Sequence, residues 1–234
     1  MLHNLTDRKT PEDFADYPFV KTHLLPHQLP EAFRDKPKVY IVRDGRDAVV
    51  SEAWHRKDFH APRSRVRYNM LEAILAAGGS HFGGWSHHVH QWLPGADVVI
   101  RFKDLLVDPI AELEKIRAFG DLPSPDTDHL PTFLTQKMGT PKYGRVSKLG
   151  RNRKFFRKGK TGSWQEEMPP WMHAIYWRYH GDVMDLLGYE PDGEAERHPD
   201  WDEVKTQLQQ LEREDMERKR SENLALLLTQ IGLR

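Results

Sequence analysis

Residues 38–54 read Lys-Val-Tyr-Ile-Val-Arg-Asp-Gly-Arg-Asp-Ala-Val-Val-Ser-Glu-Ala-Trp, and the hydrophobic pattern changes character inside one short turn. Lys38–Val42 is an apolar, β-branched run of strand length, Arg43–Asp47 a turn, and Ala48–Trp54 a helix with Asp47 expected as its N-cap. A strand that opens directly into a helix is not one arm of a tight hairpin, and strands alternating with helices at these spacings argue for a parallel sheet. The downstream pattern repeats the unit. Helices are expected over Asn69–Ala77, stopped by Gly78-Gly79, and over Trp85–Leu93, where Trp85, Val89, Trp92 and Leu93 share a face. A strand over Asp97–Phe102, a connection over Lys103–Asp108 and a helix over Ile110–Phe119, opened by Pro109, complete it. Upstream, Tyr17–Thr22 reads as a short strand ended by Pro26 and Pro30; directly after the first helix, residues 55–68 read as a loop. The expected fold class is α/β, a parallel sheet covered by helices.

Length and charge narrow the function classes. At 234 residues and 38% hydrophobic content the chain can bury one sizeable core with an appendage. The expected organisation is an irregular lead-in over 1–16, a domain over 17–189, a polar linker over 190–202 and a C-terminal helix over 203–234. That helix is charged through Arg220 and then apolar at Leu224, Leu226, Leu227, Leu228 and Ile231, a face that could dock on the domain or pair with a second copy in a homodimer. The absence of cysteine excludes a disulfide framework, a Cys-ligated zinc site and thiol catalysis. No apolar run approaches the roughly 18 residues of a membrane span, and the N-terminus is too polar for a signal peptide, so a cytoplasmic chain with no membrane partner is expected.

The 35 Lys and Arg balance the 35 Asp and Glu, yet the balance hides a local field. Between Pro131 and Gln165 stand ten basic residues and no acidic one. Within it, Phe155-Phe156-Arg157-Lys158-Gly159-Lys160-Thr161-Gly162-Ser163-Trp164 combines cations with glycines that let a backbone approach a ligand. It is like a Walker loop only superficially, since Lys154 replaces the first glycine and no apolar strand precedes it. The alternative is a solvated basic loop.

The turn at Arg43 is a second anion-binding candidate, because a strand end opening into a helix N-terminus aims backbone N–H groups and a positive dipole at one spot. Arg43 and Ser51 could add a guanidinium fork and a hydroxyl. Alternatively, Arg43 and Arg46 merely pair with Asp44 and Asp47. Lys21-Thr22-His23, at the end of the first strand, offers a general base beside a cation that could stabilise charge on a transferred group. His81, His87, His88 and His90 invite a metal reading, but no carboxylate stands at a matching position, and no metal is expected.

The order and content of these pieces resemble the sulfotransferases that use 3′-phosphoadenosine 5′-phosphosulfate (PAPS). The matching residues are KTH at 21–23, RDGRDAVVS at 43–51, GGW at 83–85, FKDLLVDP at 102–109 and FFRKGKTGSW at 155–164, so the resemblance covers about residues 17–189. It implies a P-loop-NTPase-like sulfotransferase fold, PAPS as sulfuryl donor with PAP as product, and a small-molecule acceptor carrying a hydroxyl or amine. By position, Arg43 and Ser51 would hold the 3′-phosphate of the nucleotide, and Arg157, Lys158 and Gly159 would close over it. His23 would take the acceptor proton and Lys21 would sit beside the sulfuryl group. Phe102 would stack near the adenine, with Phe133 on the opposite side of that ring.

The departures matter equally. The family's Lys-Ser-Gly-Thr-Thr-Trp-like loop, which wraps the 5′-phosphosulfate well upstream of Lys-Thr-His, has no counterpart in the 20 residues before Lys21. The resemblance therefore implies an N-terminally truncated core. The family's dimer motif is not visible in Gln165–Pro170. Two alternatives follow: a non-catalytic relative that keeps nucleotide or partner binding, and a nucleic-acid-binding surface over 142–160 with Tyr143, Phe155 and Phe156 interleaved. Zero net charge argues against the latter, and no nucleic-acid partner is expected.

Overall fold

The structure is a computed structural model. It describes residues 3–5, 19–76, 83–118 and 157–230, with Leu122, Ser124, Thr127 and Thr132 between them. The chain divides into two compact units, Met1–Ala48 with Ala76–Ser163, and Val49–Leu75 with Trp164–Arg234.

In the first unit, β1 (His3–Leu5) lies parallel to β2 (Val20–Thr22), with Asn4 opposite Lys21. The sequence reading has residues 1–16 as irregular. Three residues are too few to show a period of two, and what makes β1 a strand is the backbone ladder to β2. A short helix, α1 (Glu31–Arg34), precedes β3 (Val39–Val42), which pairs in parallel with β4 (Val98–Arg101), Val39 opposite Val98 and Val42 opposite Arg101. The parallel α/β expectation holds.

β3 buries Tyr40 and Val42, whereas Val39 and Ile41 are exposed, Ile41 at 54%. Their register partners Val98 and Ile100 are buried, so this face of the sheet is covered at β4 and open at β3. The Tyr40 side is packed. Its ring stacks on Trp92 at a centroid distance of 6.5 Å, and its hydroxyl lies 3.1 Å from His88 Nδ1. Both partners come from α4 (Trp85–Trp92), where Val89 and Trp92 form the buried face that the spacing predicts.

After β4 the structure departs from the expected connection, because residues 102–107 form a helix, α5 (Phe102–Val107). Six residues are too short for a helical period to register in sequence. Asp108 then caps α6 (Pro109–Arg117), accepting the Ala111 N–H at 3.0 Å, with Pro109 as the first helical residue as expected.

The division between units falls inside α2 (Gly45–His55). In the second unit, the expected loop over 55–68 is instead a five-residue π-helix (Arg56–His60), a turn, and the start of α3 (Val66–Leu75). Next come α7 (Trp164–Glu167), α8 (Pro170–Leu186), α9 (Glu194–Arg197) and α10 (Trp201–Gln230). Met70, Ile74, Met172, Tyr176 and Met184 are the fully buried centre of this unit. Two buried histidines are satisfied by carbonyls: His180 Nε2 donates to Ile74 O and His173 Nε2 to Met168 O, each at 2.9 Å.

Gly188, at φ 71°, ends α8. Its N–H reaches Asp185 O and the Tyr189 N–H reaches Met184 O, both at 2.9 Å, which satisfies carbonyls that the helix end leaves open. α10 buries Val204, Leu211 and Asp215, one face of the helix at spacings of seven and four, against this unit. The side chains of Leu224, Leu226, Leu227 and Leu228, and all of Ile231, lie outside the described residues.

Candidate functional site

The turn after β3 positions the first group of charged residues. α2 begins at Gly45, three residues earlier than Asp47 as N-cap would require. Asp47 is instead in the first helical turn and fully buried, where its Oδ2 accepts the Gly162 N–H at 2.8 Å and its Oδ1 accepts the Ser163 hydroxyl at 2.9 Å. Asp44 clamps Arg46 by two parallel bonds, Nε to Oδ1 at 3.1 Å and Nη2 to Oδ2 at 2.9 Å. The simple pairing considered from sequence is therefore correct for Arg46. For Arg43 it holds as a looser ion pair, Nη2 lying 3.8 Å from Asp47 Oδ2.

Gly159 and Gly162 have φ of 62° and 76°, a backbone path that L side chains resist. They allow the basic segment to double back onto the Arg43 turn. There Arg43 Nη2 donates to Lys160 O at 3.3 Å, and the guanidinium carbon sits 4.9 Å from the centre of the Phe102 ring. Arg43 Nε is buried and makes no hydrogen bond. Burial is the leading influence lowering the Arg43 pKa; Asp47 opposes it, the charge of Arg157 adds to it, and Asp44 opposes it.

A half-buried guanidinium that is only loosely paired with Asp47, and that has an unpaired Nε donor, an aromatic face behind it and a second cation nearby, can take an anion as a further partner. The structure thus brings together Arg43, Phe102 and Arg157, residues 114 positions apart at the extremes, with Lys158 and Gly159 following Arg157 on the same turn. Ser51 stands exposed on α2, and Phe133 lies outside the described residues.

A second group gathers at the end of β2. Lys21 and His23 are exposed, and the Thr22 hydroxyl accepts the Leu24 N–H at 2.9 Å, turning the chain there. Trp92 Nε1 donates to Leu24 O at 3.2 Å and ties this turn to α4. His88 is held neutral, its pKa pushed down to about 4 by burial first and then by the charges of His23 and His87. Burial also pushes the Tyr40 phenol well above its ordinary range, so Tyr40 is the donor and His88 Nδ1 the acceptor of their bond. Among the described residues no group of three or more His, Asp or Glu could hold a metal ion.

Sequence reasoning missed Asp47 as the anchor of the basic segment, because its partners lie more than 110 residues away and no local pattern signals them. It also missed Tyr40 and the pairing of His88, which an apolar strand and a histidine-rich helix conceal.

A family model for the sulfotransferase domain matches residues 6–188. The chain belongs to the sulfotransferase domain family. Among curated sulfotransferases, cytosolic sulfotransferase 3 of Arabidopsis thaliana is 26% identical over 191 residues, covering 73% of this chain and 59% of that protein. Cytosolic sulfotransferase 1 of the same plant is 22% identical over 173 residues, 64% of this chain and 52% of its own length. The chain thus spans little more than half the length of these relatives. Among solved structures, mouse sulfotransferase SULT7A1 complexed with PAP superposes with a TM-score of 0.62 at 23% identity, covering 80% of this chain and 78% of that one. Retinol dehydratase in complex with retinol and PAP gives 0.54 at 23%, covering 76% and 55%. These share the sulfotransferase fold. The family match ends at residue 188, so α9 and α10 lie beyond the matched sulfotransferase domain.

Proposed function

We propose that this chain is a PAPS-dependent sulfotransferase that transfers a sulfuryl group to a hydroxyl or amine of a small-molecule acceptor. The observation that carries the reading is Arg43, stacked on Phe102, with Nε unpaired and the Arg157 charge beside it. In this reading Arg43 and Arg157 hold the 3′-phosphate of the nucleotide, Lys158 and the Gly159 backbone close over it, and Phe102 offers its ring edge and face to the adenine. Ser51 and Phe133 are added on the motif match alone.

His23 accepts the proton of the acceptor as its oxygen or nitrogen attacks sulfur. The new bond to sulfur forms while the bond from sulfur to the 5′-phosphate oxygen breaks, and PAP leaves with that electron pair. Lys21, two residues from His23, places a cation beside the charge in transit. A cytoplasmic location fits relatives that are named cytosolic.

Calorimetry with 3′,5′-adenosine bisphosphate tests the half-site. Binding is expected, and at least about tenfold weaker on Arg43→Ala or Arg157→Ala, a loss of one charge-assisted contact to phosphate. No binding, or binding indifferent to both changes, would sink the assignment. Transfer of labelled sulfate from PAPS to a panel of phenols, alcohols and amines, abolished by His23→Ala, tests the chemistry. Binding without any transfer would leave the non-catalytic relative as the better description.

A further inference from the structure

His23 is exposed and stands on the turn that leaves β2. Where an exposed ring stands depends on how firmly its backbone is held. Leu24, the next residue, has both backbone polar groups engaged. Its N–H donates to Thr22 Oγ1 at 2.9 Å, and its carbonyl accepts from Trp92 Nε1 at 3.2 Å.

The two bonds differ in reach. The one to Thr22 spans two positions, and the bonds that follow, Leu25 N–H to Gln28 Oε1 at 2.8 Å and Gln28 N–H to Leu25 O at 2.9 Å, span three. These shape the turn but travel with it. The Trp92 bond spans 68 positions and ties the turn to α4. An indole has a single donor, and this bond uses it. Trp92 is itself held: it is buried, stacks on Tyr40 at 6.5 Å between ring centres, and lies 6.4 Å from the ring of His88, one helical turn earlier. The Tyr40 hydroxyl closes the group at 3.1 Å from His88 Nδ1.

Tyr40 belongs to β3, and three residues on the chain reaches Arg43. The rings of Tyr40, His88 and Trp92 therefore join the strand that delivers Arg43 to the turn that delivers His23. The charge of His23 also acts on His88, which puts the two histidines within electrostatic reach. We propose that Trp92 is a positioning residue for the proton acceptor: its indole N–H fixes the turn that carries His23 relative to β3 and Arg43, and Thr22 shapes that turn locally. The inference rests on the reading of His23 as the base. Transfer needs base, acceptor and cofactor in line, and a displacement of about 1 Å can cost about a hundredfold in rate. If Trp92 served packing alone, a phenyl ring would serve nearly as well.

The test compares the full chain with Trp92→Phe, which keeps an aromatic ring against Tyr40 and removes the N–H, and with Thr22→Val, which keeps the branched shape and removes the hydroxyl. Three quantities are read: kcat for sulfuryl transfer from PAPS, affinity for 3′,5′-adenosine bisphosphate, and the 15N order parameter of the His23 N–H. In Trp92→Phe, kcat should fall about ten- to a hundredfold while bisphosphate affinity stays within about threefold, and the order parameter should drop from a rigid value of about 0.85 toward 0.6. Thr22→Val should act in the same direction and less strongly. In the parent, the Trp92 indole proton should exchange with solvent slowly, a measurement that needs no variant to fold. The proposal is overturned if that proton exchanges like a free indole, if Trp92→Phe keeps the parent kcat or order parameter, or if kcat and bisphosphate affinity fall together, as in a merely structural role. A parent that transfers to no acceptor would fail the reading of His23 as base by itself, and the order parameter and indole exchange would then decide whether Trp92 holds the turn.

Discussion

The Ser163 hydroxyl donates to Asp47 Oδ1 at 2.9 Å inside a site that excludes water from both groups. This bond and the one from the Gly162 N–H fasten the far end of the basic segment to the first turn of α2. They hold the segment in the region where Lys160 O accepts from Arg43 Nη2.

Asp47→Asn should therefore destabilise the fold by about 1–3 kcal/mol, because the new amide nitrogen faces a donor that then goes unsatisfied. Ser163→Ala should cost less, and the two changes together less than their sum, since they share one bond. Urea unfolding of the four proteins at neutral pH measures the coupling. Strict additivity would show that the bond contributes nothing.

Phe102→Ala removes the face that Arg43 stacks on. A cation–π contact of about 0.5–2 kcal/mol corresponds to about a 2- to 30-fold loss in affinity for 3′,5′-adenosine bisphosphate. Phe102→Tyr keeps the ring and should bind within about threefold of the parent. Calorimetry on the pair distinguishes ring contact from mere loop disturbance.

His88 gives the chain a sensitivity to mild acid. Its folded pKa, about 4, lies below the ordinary histidine value of 6.5. Between those values the unfolded chain binds a proton that the folded chain refuses, so stability is full above pH 6.5 and falls as the pH drops toward 4. Burial lowers the His180 pKa as well, which acts in the same direction. Urea midpoints should fall from pH 7.5 to pH 5, and His88→Asn should flatten the slope. In NMR the His88 ring signal should stay unchanged from pH 7.5 to 5.5, and a midpoint near 6.5 would contradict this account.

Gly188→Ala should cost about 1 kcal/mol, the price of a side chain in the left-handed region at a helix end. Thermal unfolding reads the loss. An unchanged transition would mean that the end of α8 relaxes without strain.

What could be read from sequence follows the range of the interactions involved. β3, α4 and α6 were visible because their apolar spacing and the Asp108-Pro109 start are local. α5 and the π-helix after α2 were not, being five or six residues long, too short for an apolar period to register. Arg43 and Arg157 could be named because a strand end and a glycine-bracketed basic run each carry a pattern. Asp47 was misjudged for the opposite reason: read locally, an aspartate before an apolar run is a cap, and only Gly162 and Ser163 give it another task.

The Asp47–Ser163 bond also sets a schedule for synthesis. Arg43 and Ser163 leave the ribosome roughly 6–24 s apart at 5–20 residues per second, so the strand end exists long before the segment that closes on it. Until then Asp47 and Arg43 are solvated, and the nucleotide half-site proposed above is not yet assembled. Ligand present in the cell can stabilise the finished protein by mass action, but it cannot guide the first two-thirds of the chain as it emerges.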